Sequence, residues 1–168
     1  MHAFLSLDTT SPMTWTAASS LFFAFCIGHA LADFPLQGDF LAHGKSRHAK
    51  PVALATGNAP PKLLWVFCLT AHALIHAGFV WCLSGRVLLG LAEFVAHWII
   101  DFVKCEGRTS FETDQFLHLF AKVVWIAMIW GQWVCRHDGA AAFGAGDLEE
   151  GTVVRRHWIG LLICLPGL

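Results

Sequence analysis

The run Leu63–Leu83, LLWVFCLTAHALIHAGFVWCL, decides how this chain is read. It contains no Asp, Glu, Lys or Arg, and a helix of about 20 apolar residues crosses the hydrocarbon core of a bilayer. It also contains His72 and His76, two imidazoles one helical turn apart and therefore on one face. A segment apolar enough for lipid that carries two polar rings on one side implies a membrane helix with an interior to face.

Three more runs share this character. Trp15–Leu36 carries one formal charge, Asp33; Val87–Val103 holds Glu93 and Asp101; Phe116–Cys135 holds only Lys122. A water-soluble bundle would interleave Lys and Glu stripes with its apolar ones, and these runs do not. The composition agrees: 56% of the 168 residues are hydrophobic and 14% are charged, against roughly a quarter charged in soluble domains. The expected fold is all-α, a polytopic membrane protein with a four-transmembrane-helix bundle over residues 15–135. Its spans fall at about 15–36, 63–83, 87–103 and 116–135. Residues 1–14 form an N-terminal segment, and 136–168 a Gly/Ala-rich linker with a short apolar tail. Ala30-Leu31-Ala32 has the form of a signal-peptidase site, but Met1–Thr16 lacks the Lys or Arg that a signal peptide needs, so the first run is read as a span. Met13 is an alternative start.

Several classes are excluded. A net charge of −1 gives no electrostatic basis for binding nucleic acid. Six cysteines lie singly, without a C-x-x-C pair, which argues against a disulfide framework or a cysteine zinc site. The sequence has no G-x-S-x-G elbow, P-loop or G-x-G-x-x-G. Basic residues set the orientation. The polar loop Gly38–Lys62, with Lys45, Arg47, Lys50 and Lys62, and the connection with Lys104 and Arg108 hold most of them. The positive-inside rule then places both in the cytoplasm and predicts N-out, C-out topology.

Every span carries a polar stripe of period four: His29, Asp33 and Gln37; His72 and His76; Glu93, His97 and Asp101; Asp114, His118 and Lys122. Intramembrane ionisable groups cost roughly 2.5–3.5 kcal/mol each on insertion scales and turn toward the bundle interior. The helical rise places His29, His72, His97 and His118 about 12, 13, 9 and 4 Å from the cytoplasmic ends of their spans. Four helices thus predict one shared site in the cytoplasmic half. Its His/Asp donors suit a divalent metal: zinc first, manganese or iron as alternatives. The predicted ligands are His29, Asp33, His72, His76, His97, Asp101, Asp114 and His118, with Gln37 and Gln115 orienting them. The competing expectation is a hydrogen-bonded bundle in which the same groups pair without metal. His2, His43, His48, His137 and His157 are read as solvated, and most tryptophans as belt or packing residues.

The segments Gly28-His29-Ala30-Leu31-Ala32-Asp33-Phe34-Pro35-Leu36-Gln37, His72-x-x-x-His76, His97-Trp98-Ile99-Ile100-Asp101-Phe102-Val103-Lys104 and Asp114-Gln115-Phe116-Leu117-His118 together resemble the DUF3307 family of small membrane proteins from bacteria and their phages. The resemblance runs from about Ala24 to Trp125 and implies a bacterial inner membrane, with the polar stripes as the family signature.

The functional expectation is a metal-dependent intramembrane hydrolase acting on an amphiphilic, lipid-phosphate type of substrate. Glu93, deepest in its stripe, is the candidate general base, with a pKa raised by burial. Lys122 is the candidate group for an anionic substrate or developing negative charge. Membrane lipids are the expected surroundings, and the basic loop would meet their headgroups. Two alternatives stand beside it: a proton or metal-ion transporter or channel component, and a non-enzymatic metal-stabilised protein of phage or host-defence type. An interhelical Glu93–Lys122 ion pair is the rival to both catalytic roles.

Overall fold

Apolar side chains cover much of the outside of this protein, and charged and polar ones fill half of its interior. The computed structural model describes residues 13–49 and 61–144, the side chains of 132–144 excepted. Five helices follow in order: α1 (Trp15–Asp33), α2 (Gly38–Gly44), α3 (Leu64–Ser84), α4 (Val87–Cys105) and α5 (Phe111–Gly144). No strand occurs among the described residues.

Local chemistry sets the ends. The Thr14 hydroxyl accepts from the Ala17 N–H at 3.1 Å and caps α1. Pro35, which has no N–H to continue the ladder, follows directly on its last turn. Gly85 closes α3 at φ +68°, a left-handed conformation that disfavours any side chain, and its N–H reaches the Trp81 carbonyl. The Ser110 hydroxyl caps α5 through the Thr113 N–H, and Glu112 and Asp114 complement the dipole of the first turn.

The four long helices form a ring in which α3 packs on α1 and α4, and α5 packs on α4 and α1, while α2 lies against α3. Neighbours run antiparallel. Phe25 of α1 shares a cluster with Val80 of α3, while Asp33 further along α1 meets His72 and His76 earlier in α3. The interior divides in two along the bundle. One half is apolar and built from Leu21, Phe25, Val80, Leu89, Trp125 and Ile129. The other half holds the polar stripes. Outside, Phe23, Phe67, Leu74, Leu91, Val95, Ile99, Phe116 and Phe120 are all exposed.

Three expectations need correction. The anticipated loop 38–62 contains α2. Helix α1 ends at Asp33, so Gln37 leaves the polar stripe and stands, half-buried, at the start of α2. Helix α5 starts five residues early, at Phe111, and continues to Gly144, so the first part of the anticipated linker is helical; the remaining linker and tail lie outside the described residues. Among the described residues, two helices, α1 and α3, are long and apolar enough to cross a membrane by length and composition. Helix α4 carries Glu93, Asp101 and Lys104, and α5 carries Glu112, Asp114 and Lys122.

Close approach of α3 and α4 depends on Gly90. A Cβ there would lie 2.9 Å from the Trp81 Cβ and 3.1 Å from the Ala77 carbonyl oxygen, a backbone atom that cannot move aside. Gly90→Leu is therefore expected to lower stability by about 1–3 kcal/mol, read as an earlier melting transition in detergent. Gly78→Leu, where an added Cβ meets nothing within 4 Å, is the control and should melt much closer to wild type.

Candidate metal centre

The period-four stripes of α1, α3, α4 and α5 all turn inward and meet. His29, His72, His76, His97, Asp101, Asp114 and His118 are each at most 5% exposed, as are Glu93 and Lys122. Five imidazoles lie together, with His97 stacked between His76 and His118 at centroid distances of 3.6 and 4.0 Å. Each of these rings, when neutral, offers one nitrogen lone pair.

Hydrogen bonds determine where those lone pairs point. A carboxylate only accepts, so the contact of Gln115 Nε2 with Asp33 Oδ2 (2.9 Å) fixes the Gln115 amide. Its Oε1 then accepts from His29 Nε2 at 3.2 Å. With that proton placed, a neutral His29 has its lone pair at Nδ1, where it accepts from His76 Nδ1 at 3.4 Å. A neutral His76 is left with a lone pair on Nε2, 3.1 Å from Asp33 Oδ1. A proton on Nε2 makes that contact a hydrogen bond to the carboxylate, and without the proton both atoms are donors free to face a cation. Gln115 therefore contacts both Asp33 and His29, whereas Gln37 makes no contact with the cluster.

Neighbouring donors face the same place. His72 Nε2 is 3.3 Å from Asp33 Oδ1 and 3.4 Å from Asp101 Oδ2, yet makes a hydrogen bond with neither. Bonds of about 2.0–2.1 Å around a tetrahedral ion separate its ligands by about 3.3 Å, which is the spacing seen here. Asp33, His72, His76 and His97 form one group whose donor atoms all lie within 4.8 Å of each other, and His97, Asp101 and His118 form another. His29 touches His76, Gln115 and Asp33 and so belongs to the surrounding hydrogen-bond network, not to either group.

Glu93 and Lys122 are engaged with each other at the deep end. Lys122 Nζ donates to Glu93 Oε1, Trp125 Nε1 donates to Oε2 at 2.6 Å, and His97 Nδ1 donates to Oε1 at 3.3 Å. The carboxylate that looked like a free base is occupied by three donors, and the ammonium that looked available to a substrate is neutralised. Each charge, 1% exposed, has the other as its partner, which is the interhelical pair set against the two catalytic roles. Glu93 instead fixes the His97 tautomer, leaving Nε2 directed toward Asp101 at 3.9 Å.

Two contributors escaped the sequence reading. Lys45, directly after α2, is buried and donates to Asp101 Oδ2 at 2.7 Å. Lys104 pairs with Asp114 Oδ2 at 3.1 Å. Neither belongs to a helical stripe, and a basic residue after a Gly gives no sign that it folds back. Beside Lys45, Arg47 makes a two-point contact with Glu106, which ties the α2 segment to the end of α4. The guanidinium holds the Glu106 carboxyl below the ordinary glutamate range, so this tie persists at neutral pH and is lost only under acid. His43 and His48 are exposed, as expected; His2, His137 and His157 lie outside the described side chains.

Fold and site together define an all-helical protein with two helices apolar enough to cross a membrane, enclosing a buried histidine–carboxylate cluster able to hold metal. The chain belongs to the DUF3307 family, whose model, described as a protein of unknown function, matches residues 21–138 and so takes in every residue of the cluster. No curated protein and no solved structure matches it.

Proposed function

We propose that this protein is a divalent-metal-dependent hydrolase embedded in the bacterial inner membrane, acting on an amphiphilic substrate with an anionic, phosphate-type headgroup. The observation that carries the reading is the convergence of Asp33, His72, His76 and His97, whose donor atoms all lie within 4.8 Å of one another, with the buried His72 Nε2 unbonded among them. Zinc suits this donor set best, with manganese or iron as alternatives. A metal held there supplies a coordinated water acidic enough to act as a nucleophile near neutral pH. The chain's own residues hold the ligands in register: Gln115 and His29 orient Asp33 and His76, while Glu93 orients His97.

All four long helices are assigned as spans. Exposed Phe, Leu, Val and Ile on α4 and α5 would be a liability in water and are ordinary against lipid. Lys45, Arg47 and Lys104 gather at the cluster end, which is therefore cytoplasmic, with the N-terminus outside and α5 leading out. These cations and the membrane surface together suit a lipid headgroup. The apolar half of the interior, from Leu21 to Ile129, offers no polar path across the bundle, which favours hydrolysis over ion transport.

The test uses full-length protein in detergent or nanodiscs. Elemental analysis should find a divalent metal, and vesicles containing phosphatidic acid should release inorganic phosphate in a reaction that a chelator abolishes and Zn²⁺ or Mn²⁺ restores. Failure to retain metal from excess Zn²⁺ or Mn²⁺ overturns the centre. Bound metal without hydrolysis of lipid phosphates overturns the enzyme reading and leaves a metal-stabilised structural role.

A further inference from the structure

We infer that the cluster holds two cations rather than one, with Asp101 as the bridging carboxylate; this rests on the metal reading above and extends it. The two oxygens of Asp101 serve different neighbours. Oδ2 faces His72 Nε2 at 3.4 Å, and Oδ1 faces His118 Nε2 at 3.4 Å. His118 Nε2 is also 3.6 Å from Asp114 Oδ1, a fully buried oxygen with no hydrogen-bond partner. His97 Nε2 is likewise buried and unpartnered, because Glu93 engages only Nδ1. His97, Asp101 and His118, with Asp114 beside them, therefore make a second donor set next to Asp33, His72 and His76. A carboxylate spanning the two sets suits the separation of about 3.5–4 Å found in two-metal hydrolytic sites, where one ion holds the nucleophile and the other the leaving oxygen. That arrangement is shared with phosphatases and agrees with the phosphate-type substrate proposed above.

Charge ranks the two positions. Asp33 is met by imidazoles and the Gln115 amide, and no lysine reaches it among the described residues. Asp101 and Asp114 already carry Lys45 and Lys104. The first cation therefore binds at Asp33, and the second binds more weakly because the Lys104 ammonium holds Asp114 at its edge, whereas Lys45 donates to the Asp101 oxygen that faces His72. Removing Lys104 should tighten it.

Full-length protein in detergent, stripped with chelator and titrated with Mn²⁺, tests this by stoichiometry and low-temperature electron paramagnetic resonance. The expected result is two Mn²⁺ per chain, the second bound more weakly, with an exchange-coupled signal at saturation. Asp114→Asn, which keeps the shape of the side chain, should weaken only the second equivalent. His118→Ala should bind a single Mn²⁺ with an uncoupled six-line spectrum. Lys104→Met should tighten the second equivalent about tenfold. One uncoupled Mn²⁺ in wild type, unchanged in Asp114→Asn and His118→Ala, overturns the second site while leaving the metal centre intact. No bound Mn²⁺ or Zn²⁺ at all overturns both.

Discussion

His76→Ala is expected to lower divalent-metal affinity by about 100-fold or more and to remove the metal-dependent part of the protein's stability at the same time. His76 is 1% exposed and joins two systems. Its Nε2 faces Asp33 Oδ1, and its Nδ1 closes the chain of hydrogen bonds through His29 to Gln115. Residues that merely orient a ligand cost 10–100-fold in affinity when removed, so a direct ligand should exceed that range. A 100-fold weaker site forfeits about 2.3 kcal/mol of the roughly 2.7 kcal/mol of stabilisation available when metal is held at 100 times the native dissociation constant. Thermal melting with and without added Zn²⁺ reads this directly. The wild-type melting point should rise with metal, whereas that of His76→Ala should hardly move. His43→Ala, an exposed histidine bonded only to the Asp39 carbonyl, is the control and should respond like wild type. Undiminished metal binding in His76→Ala would remove this residue from the ligands.

Lys122→Met and Glu93→Gln are expected to be severely destabilising singly and much less so together. Each removes one member of a buried pair and strands the other, a loss of about 3–5 kcal/mol where no water can reach the survivor. In Glu93→Gln the ammonium of Lys122 is left facing a neutral amide, whereas the double variant removes both charges and retains similar volume. Chemical denaturation or melting of the four proteins gives the coupling, and additive losses would refute the pair. Metal affinity separates the second role of Glu93. Lys122→Met leaves the His97–Glu93 bond in place and should spare metal binding, while Glu93→Gln replaces the oxygen that His97 Nδ1 bonds and should weaken it about 10–100-fold. Equal metal affinity in the two single variants would confine Glu93 to a charge-balancing role.

The helices and the residues that face inward could be read without any structure, because both follow from short-range periodicity. An imidazole or carboxylate every fourth position along an apolar run has one place to go when the rest of the surface is apolar. The common depth of His29, His72, His97 and His118 followed from the rise per residue and from chain direction alone. Gly85 suits the left-handed C-cap that ends α3. Gln37 failed by the same rule: the period of four continued through Pro35, but the helix did not.

Which inward group meets which was not legible. Lys45 reaches Asp101 across 56 positions of sequence, and Gln115 reaches Asp33 across 82. Such contacts depend on the rotation and axial offset of packed helices and on the fold-back of α2, none of which leaves a periodic trace. The same limit decided the role of Glu93. Its depth pointed to a free base, but the helix opposite supplied Lys122 and Trp125, and a buried charge takes the nearest partner. The sequence by itself determined an all-helical chain with polar stripes turned inward, because those features arise within each helix. Only the tertiary structure decided that these stripes form two donor groups sharing His97, and that Gln115, Glu93 and Lys45 hold them in place, because hydrogen-bond direction across a helix interface is set by packing.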